Sequence, residues 1–102
     1  MKTTIDLDSV KAKIGLPDGG SIILLDMLAK ADQFSKEEIA RNVFRLDEKG
    51  DVKWQIHTKF DAKGVPFTFI EIENTLNAYR WDGGNYSVNL ETGEATPMQL
   101  ER

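Results

Sequence analysis

The chain has 102 residues, of which 40% are hydrophobic and 29% charged, and its formal net charge is −4 at pH 7. A chain of this length can bury one modest core without staples, so we expect a single domain over residues 1–102. The absence of cysteine excludes disulfides, thiolate metal sites and cysteine nucleophiles, and it fits a reducing compartment. Because the net charge is negative and the basic residues are scattered, nucleic-acid binding is disfavoured.

No targeting or membrane segment is predicted. Residues 1–8 lack the apolar stretch of a signal peptide. The longest apolar run, residues 22–25, meets Asp26 far short of the roughly 20 residues that a membrane helix needs. We therefore expect a soluble, cytoplasmic protein that binds no membrane.

Strands are predicted on both sides of the first turn. Apolar and polar residues alternate over residues 3–7 and again over residues 10–14. Residues 16–20 combine proline with two glycines, which is a dense turn signal. Residues 21–26, rich in β-branched side chains, then form a buried return strand. A helix over residues 24–31 is the competing interpretation, because its leucines also have helical spacing.

A short helical insertion follows. Ser35 and Glu38 match a capping box, Arg41 suits the negative end of a helix, and Asn42 can close it. These signals predict a short helix near residues 35–41. Whether the whole of residues 27–42 is helix or loop stays open.

One hairpin signature occurs twice. Residues 43–54 and residues 86–96 each alternate between apolar and polar, reach Leu and an acid, turn through Gly, and return. On the return strand of the first hairpin, Val52 and Trp54 are expected to share one face.

The remaining strands fill the second half of the chain. Residues 67–72 are apolar on both faces over part of their length, which predicts a central strand. Residues 75–81 follow a tight turn, and residues 82–85 (Asp-Gly-Gly-Asn) make another. Residues 94–100 form the last strand, and Pro97 predicts that this strand lies at an edge.

The predicted fold is mainly β, an antiparallel meander of about eight or nine short strands with the short helical insertion. Two hairpin-rich halves, about residues 3–57 and 65–100, either pack face to face as a small sandwich or roll into a partly closed barrel. Both arrangements remain open, because every exposed sheet edge has to be covered or paired in either case.

Residues 42–55 (Asn-Val-Phe-Arg-Leu-Asp-Glu-Lys-Gly-Asp-Val-Lys-Trp-Gln) resemble a blade of the quinoprotein-type β-propellers. In those blades a strand ends in an Ala-Leu-Asp-like step, a Gly turn follows, and the return strand carries Trp. Residues 90–94 are similar to that turn. The resemblance implies four-stranded antiparallel units. A propeller needs about four or more blades and this chain has room for about two, so no cofactor or catalytic residue is carried over.

An aromatic hairpin is the candidate binding site. Tyr79 and Trp81 share a strand face, and Tyr86 follows the next turn, so we expect the three rings to cluster. Arg80 and Asp82 supply a polar rim. Tyr and Trp are enriched at interface hot spots, although cross-strand aromatic pairs also stabilise sheets without binding anything.

Catalytic and metal sites find little support in the sequence. His57 is the single histidine, and it has no recognisable nucleophile beside it. Glu71 and Glu73 alternate along one face of a strand that also presents Phe67 and Phe69, and the two carboxylates could line a pocket. The acidic turn at residues 47–51 is too short for a calcium loop. We predict no catalytic residue, no metal and no cofactor.

The sequence does not determine the function. The interpretation we favour is a small, non-catalytic domain that binds a protein partner through the aromatic hairpin. The alternatives are a small-molecule-binding barrel or hydrolase with a carboxylate pocket, and a structural subunit of a β assembly formed by a homo-oligomer.

Overall fold

The computed structural model describes residues 10–26, 36–58, 66–72, 75–80 and 84–98. In chain order, the elements are β1 (Val10–Gly15), β2 (Ser21–Leu25), α1 (Lys36–Ala40), β3 (Val43–Leu46), β4 (Val52–Gln55), β5 (Phe67–Ile72), β6 (Leu76–Arg80), β7 (Asn85–Val88) and β8 (Ala95–Pro97).

The described strands form two four-stranded sheets, in each of which every strand pairs antiparallel with the next one along the chain. Sheet one has the order β1-β2-β3-β4, and sheet two has the order β5-β6-β7-β8. The predicted mainly β meander with a short helix is therefore confirmed. The strand predicted at residues 3–7 and the whole of residues 27–35 lie outside the described residues.

The inner faces of the two sheets share one apolar core, as the layers of a sandwich do. Sheet one contributes Ile22, Leu24, Val43 and Trp54, with Ile56 just beyond β4. Sheet two contributes Phe67, Ile70, Leu76, Ala78, Tyr86, Val88 and Ala95. The described strands close neither a barrel nor a propeller.

Sheet one is buried on its second face as well. Ile23, Leu25, Phe44 and Leu46 form a separate buried cluster on the side that faces away from sheet two. All five residues of β2 are consequently buried. The unbroken apolar run in this strand follows from burial on both faces.

A β-bulge between β3 and β4 places Val52 and Trp54 on opposite faces of sheet one. The register of β3 against β4 shifts between Arg45, which is opposite Trp54, and Leu46, which is opposite Val52. Val52 therefore packs on the outer cluster, while Trp54 enters the shared core. The prediction that Val52 and Trp54 share one face was wrong, because the bulge interrupts strict alternation.

The position of β5 is a second correction. The prediction of a central strand was wrong, because β5 is an edge strand paired only with β6 in sheet two. A bulge between Phe67 and Phe69 turns Phe67 into the core and Phe69 outward, where its side chain is 54% exposed. The edge position predicted for the strand with Pro97 is confirmed.

The two sheets are joined along one side by the end of β4. The His57 N–H donates to the Gly93 carbonyl at 3.1 Å, and the Ala95 N–H donates to the His57 carbonyl at 2.8 Å. The Leu90 carbonyl also accepts two side-chain donors from sheet one, Arg45 Nη1 at 2.6 Å and Trp54 Nε1 at 2.7 Å. These bonds hold the β7–β8 turn against the face of β4.

On the opposite side, Asn42 joins β2 to β5. This residue is 1% exposed. Its Nδ2 donates to the carbonyls of Leu25 at 2.7 Å and Phe67 at 2.8 Å, and its Oδ1 accepts from the Phe67 N–H at 2.9 Å. One amide side chain thus satisfies three backbone groups at the seam, as buried polar groups require.

In the turn of each repeated hairpin, one side-chain oxygen accepts hydrogen bonds from two backbone N–H groups. Asp47 Oδ1 accepts from the N–H groups of Lys49 and Asp51, both at 2.9 Å. In the second hairpin Asn89 does the same for Glu91 at 2.8 Å and Thr92 at 3.2 Å. The Asp51 N–H and the neighbouring donors lower the pKa of the Asp47 carboxyl.

Candidate binding face of the second sheet

The five residues of the predicted aromatic site are divided by the structure. Arg80 and Tyr86 point into the core and are 5% and 8% exposed. Tyr79 is half-buried and belongs to the opposite face of β6. Trp81 and Asp82 lie outside the described residues. The described part of the predicted site therefore does not share one surface.

Arg80 and Tyr86 instead build a polar centre inside the core. The guanidinium carbon of Arg80 lies 4.4 Å from the ring centroid of Phe67 and 4.8 Å from that of Tyr86. Arg80 Nη1 donates to the Tyr86 hydroxyl at 2.9 Å, and Nη2 donates to the carbonyl of Ala40 at 3.4 Å. Arg80 thereby attaches the end of α1 to sheet two, which is a structural role.

The outward face of sheet two carries two rows of side chains that run across the strands. The register places Phe69 opposite Tyr79 and Tyr79 opposite Asn85, and the Met98 N–H donates to the Asn85 carbonyl at 2.8 Å. The neighbouring row follows the same pairing. We call these residues the binding face: Phe69, Tyr79, Asn85 and Met98 in the first row, and Glu71, Asn77, Ser87 and Thr96 in the second.

The first row holds the exposed apolar groups. Phe69 is 54% exposed and Met98 is 38% exposed, and these are the exposed large hydrophobic residues of the described chain. A single exposed hydrophobic side chain is ordinary on any protein. Here the two stand at the ends of one row, with Tyr79 and Asn85 between them, so the same face of the sheet carries both.

Tyr79 ties the two rows together. Its ring lies 5.6 Å from the Phe69 ring, centroid to centroid, at an interplanar angle of 37°. Its hydroxyl donates to Glu71 Oε2 at 2.6 Å. Next to Glu71 in the second row, the Oδ1 atom of Asn77 is buried and has no hydrogen-bond partner within the described structure.

The charged side chains on the described surface of sheet two are acidic. Within the described residues of 66–98, Arg80 is the one basic residue, and its side chain is buried. The acids Glu71, Glu91 and Glu94 are half-buried or exposed. The surface of sheet two is therefore negative, with no basic side chain at the described surface to offset it.

A family model described as "Domain of unknown function (DUF7957)" matches residues 2–100. The chain belongs to this family. No curated protein and no solved structure matches the chain. In the parts of this DUF7957 chain that the structure describes, no helix is long and apolar enough to cross a membrane.

The other candidate groups of this DUF7957 domain lie apart from one another. His57 is exposed at the end of β4, whereas Glu71 is on β5 of the other sheet, and Glu73 is outside the described residues. A small cleft of about 20 Å³ lies where β1 and β2 meet β5. Its lining comprises Lys11, Leu25, Asp26, Asn42, Pro66, Phe67 and Thr68. The described residues include no group of three or more side chains able to hold a metal ion.

Sequence reasoning missed Phe69, Asn77 and Met98. Strict alternation assigned Phe67 and Phe69 to the same side of β5, and the bulge between them separates the two rings. Nothing in a single sequence marks that bulge. Met98 could have been found from the alternation Ala95, Thr96, Pro97, Met98, because Thr96 and Met98 occupy equivalent positions along an edge strand.

Proposed function

We propose that this chain is a non-catalytic domain that binds a segment of another protein on the binding face of sheet two. The observation that carries the proposal is the placement of Phe69 and Met98, the exposed large hydrophobic residues of the described chain, in one row of the same face. We also propose that the domain works in the cytoplasm, which the lack of cysteine supports.

The shape and chemistry of the face suit a protein segment better than a small molecule. Small-molecule sites are concave and enclose most of the ligand. The binding face is the open side of a sheet, with aromatic and thioether groups in one row and carboxylate, amide and hydroxyl groups in the next. Aromatic residues and methionine are enriched in the contact surfaces that proteins present to one another.

Of the residues predicted from the sequence, the proposed site keeps Tyr79. Arg80 and Tyr86 are no longer part of the contact surface. Arg80 and Tyr86 support the face from beneath, because their side chains fill the core directly under β6 and β7. Trp81 and Asp82 remain part of the prediction from the sequence alone, as the two residues that follow β6.

The experiment that tests the proposal is selection of ligands from a phage library of random peptides of about twelve residues. Synthetic copies of the enriched peptides are then titrated by fluorescence polarisation. We expect Phe69→Ser to weaken their binding about tenfold or more, since aromatic anchors dominate interface energies. Lys13→Ser is the control, because Lys13 is exposed on sheet one. Peptides that bind Phe69→Ser as well as the wild type, or failure to enrich any peptide, overturn the proposal.

Self-association is the competing occupant of this face. Light scattering on the purified chain across a range of concentrations separates the two cases. We expect a monomer. A dimer that Phe69→Ser converts to monomer would show that a second copy covers the face, and the chain would then be a structural subunit of a β assembly.

A further inference from the structure

We propose that the binding face contains a subsite for an arginine side chain of the partner protein, formed by Phe69, Glu71 and Asn77. This inference rests on the proposed function and specifies the chemistry that the partner presents. The three residues come from neighbouring positions of β5 and β6, where Glu71 is directly opposite Asn77.

The Glu71 carboxylate is held in place and has an oxygen to offer. The Tyr79 hydroxyl donates to Oε2 at 2.6 Å, which fixes the orientation of the group. Within the described residues, the other oxygen accepts no hydrogen bond. A half-buried carboxylate oriented in this way is a ready acceptor for a cationic donor.

Asn77 adds a second acceptor beside the first. Its Oδ1 is buried without a donor in the described structure, and an unsatisfied buried acceptor raises the free energy of the folded state. Rotation about χ2, which is soft for an amide, turns this oxygen toward an incoming donor. Binding of a donor-rich group would thus remove an existing penalty as well as form a new bond.

Phe69 provides the platform. Its ring is 54% exposed and lies beside the Tyr79 ring at 5.6 Å, so the two rings present a broad aromatic surface next to the carboxylate. A planar cation stacked on such a ring is attracted by its quadrupole.

Together these groups select for arginine. The subsite offers acceptors and an aromatic face, and no basic side chain competes for them on the described surface of sheet two. Guanidinium carries five donors in a plane, so it can donate to Glu71 and Asn77 together and stack on an aromatic ring, whereas ammonium is a strongly hydrated point charge. Charge complementarity therefore points to a basic partner segment with arginine at the contact.

The test uses three acetylated and amidated peptides of about nine glycine and serine residues that differ at the central position, which is arginine, lysine or citrulline. Each is titrated into isotope-labelled protein, and amide chemical shifts are followed by NMR. We expect the arginine peptide to shift amides of β5 and β6 and to bind about fivefold more tightly than lysine and about tenfold more tightly than citrulline.

Two variants that remove the same charge complete the experiment. Glu71→Gln keeps an oxygen for the Tyr79 hydroxyl, and we expect it to weaken arginine-peptide binding about fivefold or more. Glu91→Gln, in the exposed β7–β8 turn, should leave that binding unchanged. Equal losses in the two variants, equal binding of arginine and citrulline, or no shifts at millimolar peptide overturn the subsite. The proposed function survives that failure if library peptides without arginine still depend on Phe69.

Discussion

The hydroxyls of Tyr79 and Tyr86 both form hydrogen bonds, but they do so in different surroundings. Tyr79 donates to Glu71 at 2.6 Å on the half-exposed outer face. Tyr86 accepts from Arg80 Nη1 at 2.9 Å inside the core, where its side chain is 8% exposed. Water can replace the first bond and has little access to the second, so burial rather than length decides which bond stabilises the fold.

Paired substitutions test this difference at the residue scale. We expect Tyr86→Phe to lower the free energy of unfolding by about 1–3 kcal/mol, because a charged buried donor loses its acceptor. Tyr79→Phe should lower it by less than about 1 kcal/mol. Urea denaturation followed by circular dichroism measures both. Equal losses in the two variants would mean that solvent reaches the core site as easily as the surface.

At this scale the sequence predicted strand membership better than orientation. The alternation Leu76, Ala78, Arg80 places Arg80 on the core side of β6, and the sequence interpretation instead read it as a rim residue. A buried arginine is rare unless its charge is satisfied. What satisfies it here includes an aromatic ring from β5 and a carbonyl of α1, and neither contact is local in sequence.

At the scale of elements, the two repeated turns differ in what surrounds their glycines. Gly50 and Gly93 both have positive φ, 88° and 80°. A Cβ added at Gly50 would meet nothing within 4 Å, whereas one at Gly93 would lie 2.6 Å from Trp54 Cε3. The first turn therefore needs glycine for its backbone alone, and the second needs it also to pack on Trp54.

Alanine at each glycine separates the two requirements. We expect Gly50→Ala to lower the free energy of unfolding by about 1 kcal/mol, because alanine adopts the left-handed backbone conformation at a cost. Gly93→Ala should cost about 2–4 kcal/mol, because the methyl group also displaces the indole. The tryptophan emission of the chain, to which Trp54 contributes, should change in Gly93→Ala and stay constant in Gly50→Ala. Similar stability and fluorescence in both variants would contradict a close approach between the turn and Trp54.

The strands could be predicted because recognisable turn residues mark where each strand begins and ends. The glycine turns and period-two alternation predicted both repeated hairpins and the strand with Pro97. The predicted sheet faces of Val52 and Phe69 were wrong because of bulges. One extra residue in a strand moves every side chain beyond it to the opposite face. In the shared pattern of Leu followed by an acid, Glu91 occupies the position of Asp47, but in the folded second turn it is Asn89 that accepts the backbone hydrogen bonds.

At the scale of the whole molecule, Asn42 is a buried polar link between β2 and β5. The sequence suggested a polar residue at the end of a helix, and the structure adds three hydrogen bonds to backbone groups of both sheets. The choice between sandwich and barrel depends on such long-range links, which have no local sequence signal. The two four-stranded units could therefore be predicted, but their packing could not.

Replacing Asn42 tests the link between the sheets. We expect Asn42→Ala to lower the free energy of unfolding by about 2–4 kcal/mol, because it leaves buried backbone groups of Leu25 and Phe67 without partners. Asn85→Ala is the matched control, since Asn85 is half-buried on the outer face, and it should cost less than about 0.5 kcal/mol. If Asn42→Ala lowers the free energy of unfolding no more than the control does, water must form the hydrogen bonds that the backbone groups of Leu25 and Phe67 lose.

The backbone pair between His57 and Glu94 belongs to neither antiparallel ladder and runs parallel. It fastens the middle of the chain to its last strand, so melting of either sheet strips hydrogen bonds from the other. We therefore expect the two halves, which can be told apart along the sequence, to unfold as one cooperative unit. We expect a chain cleaved between the two halves to regain its fold only when both fragments associate again.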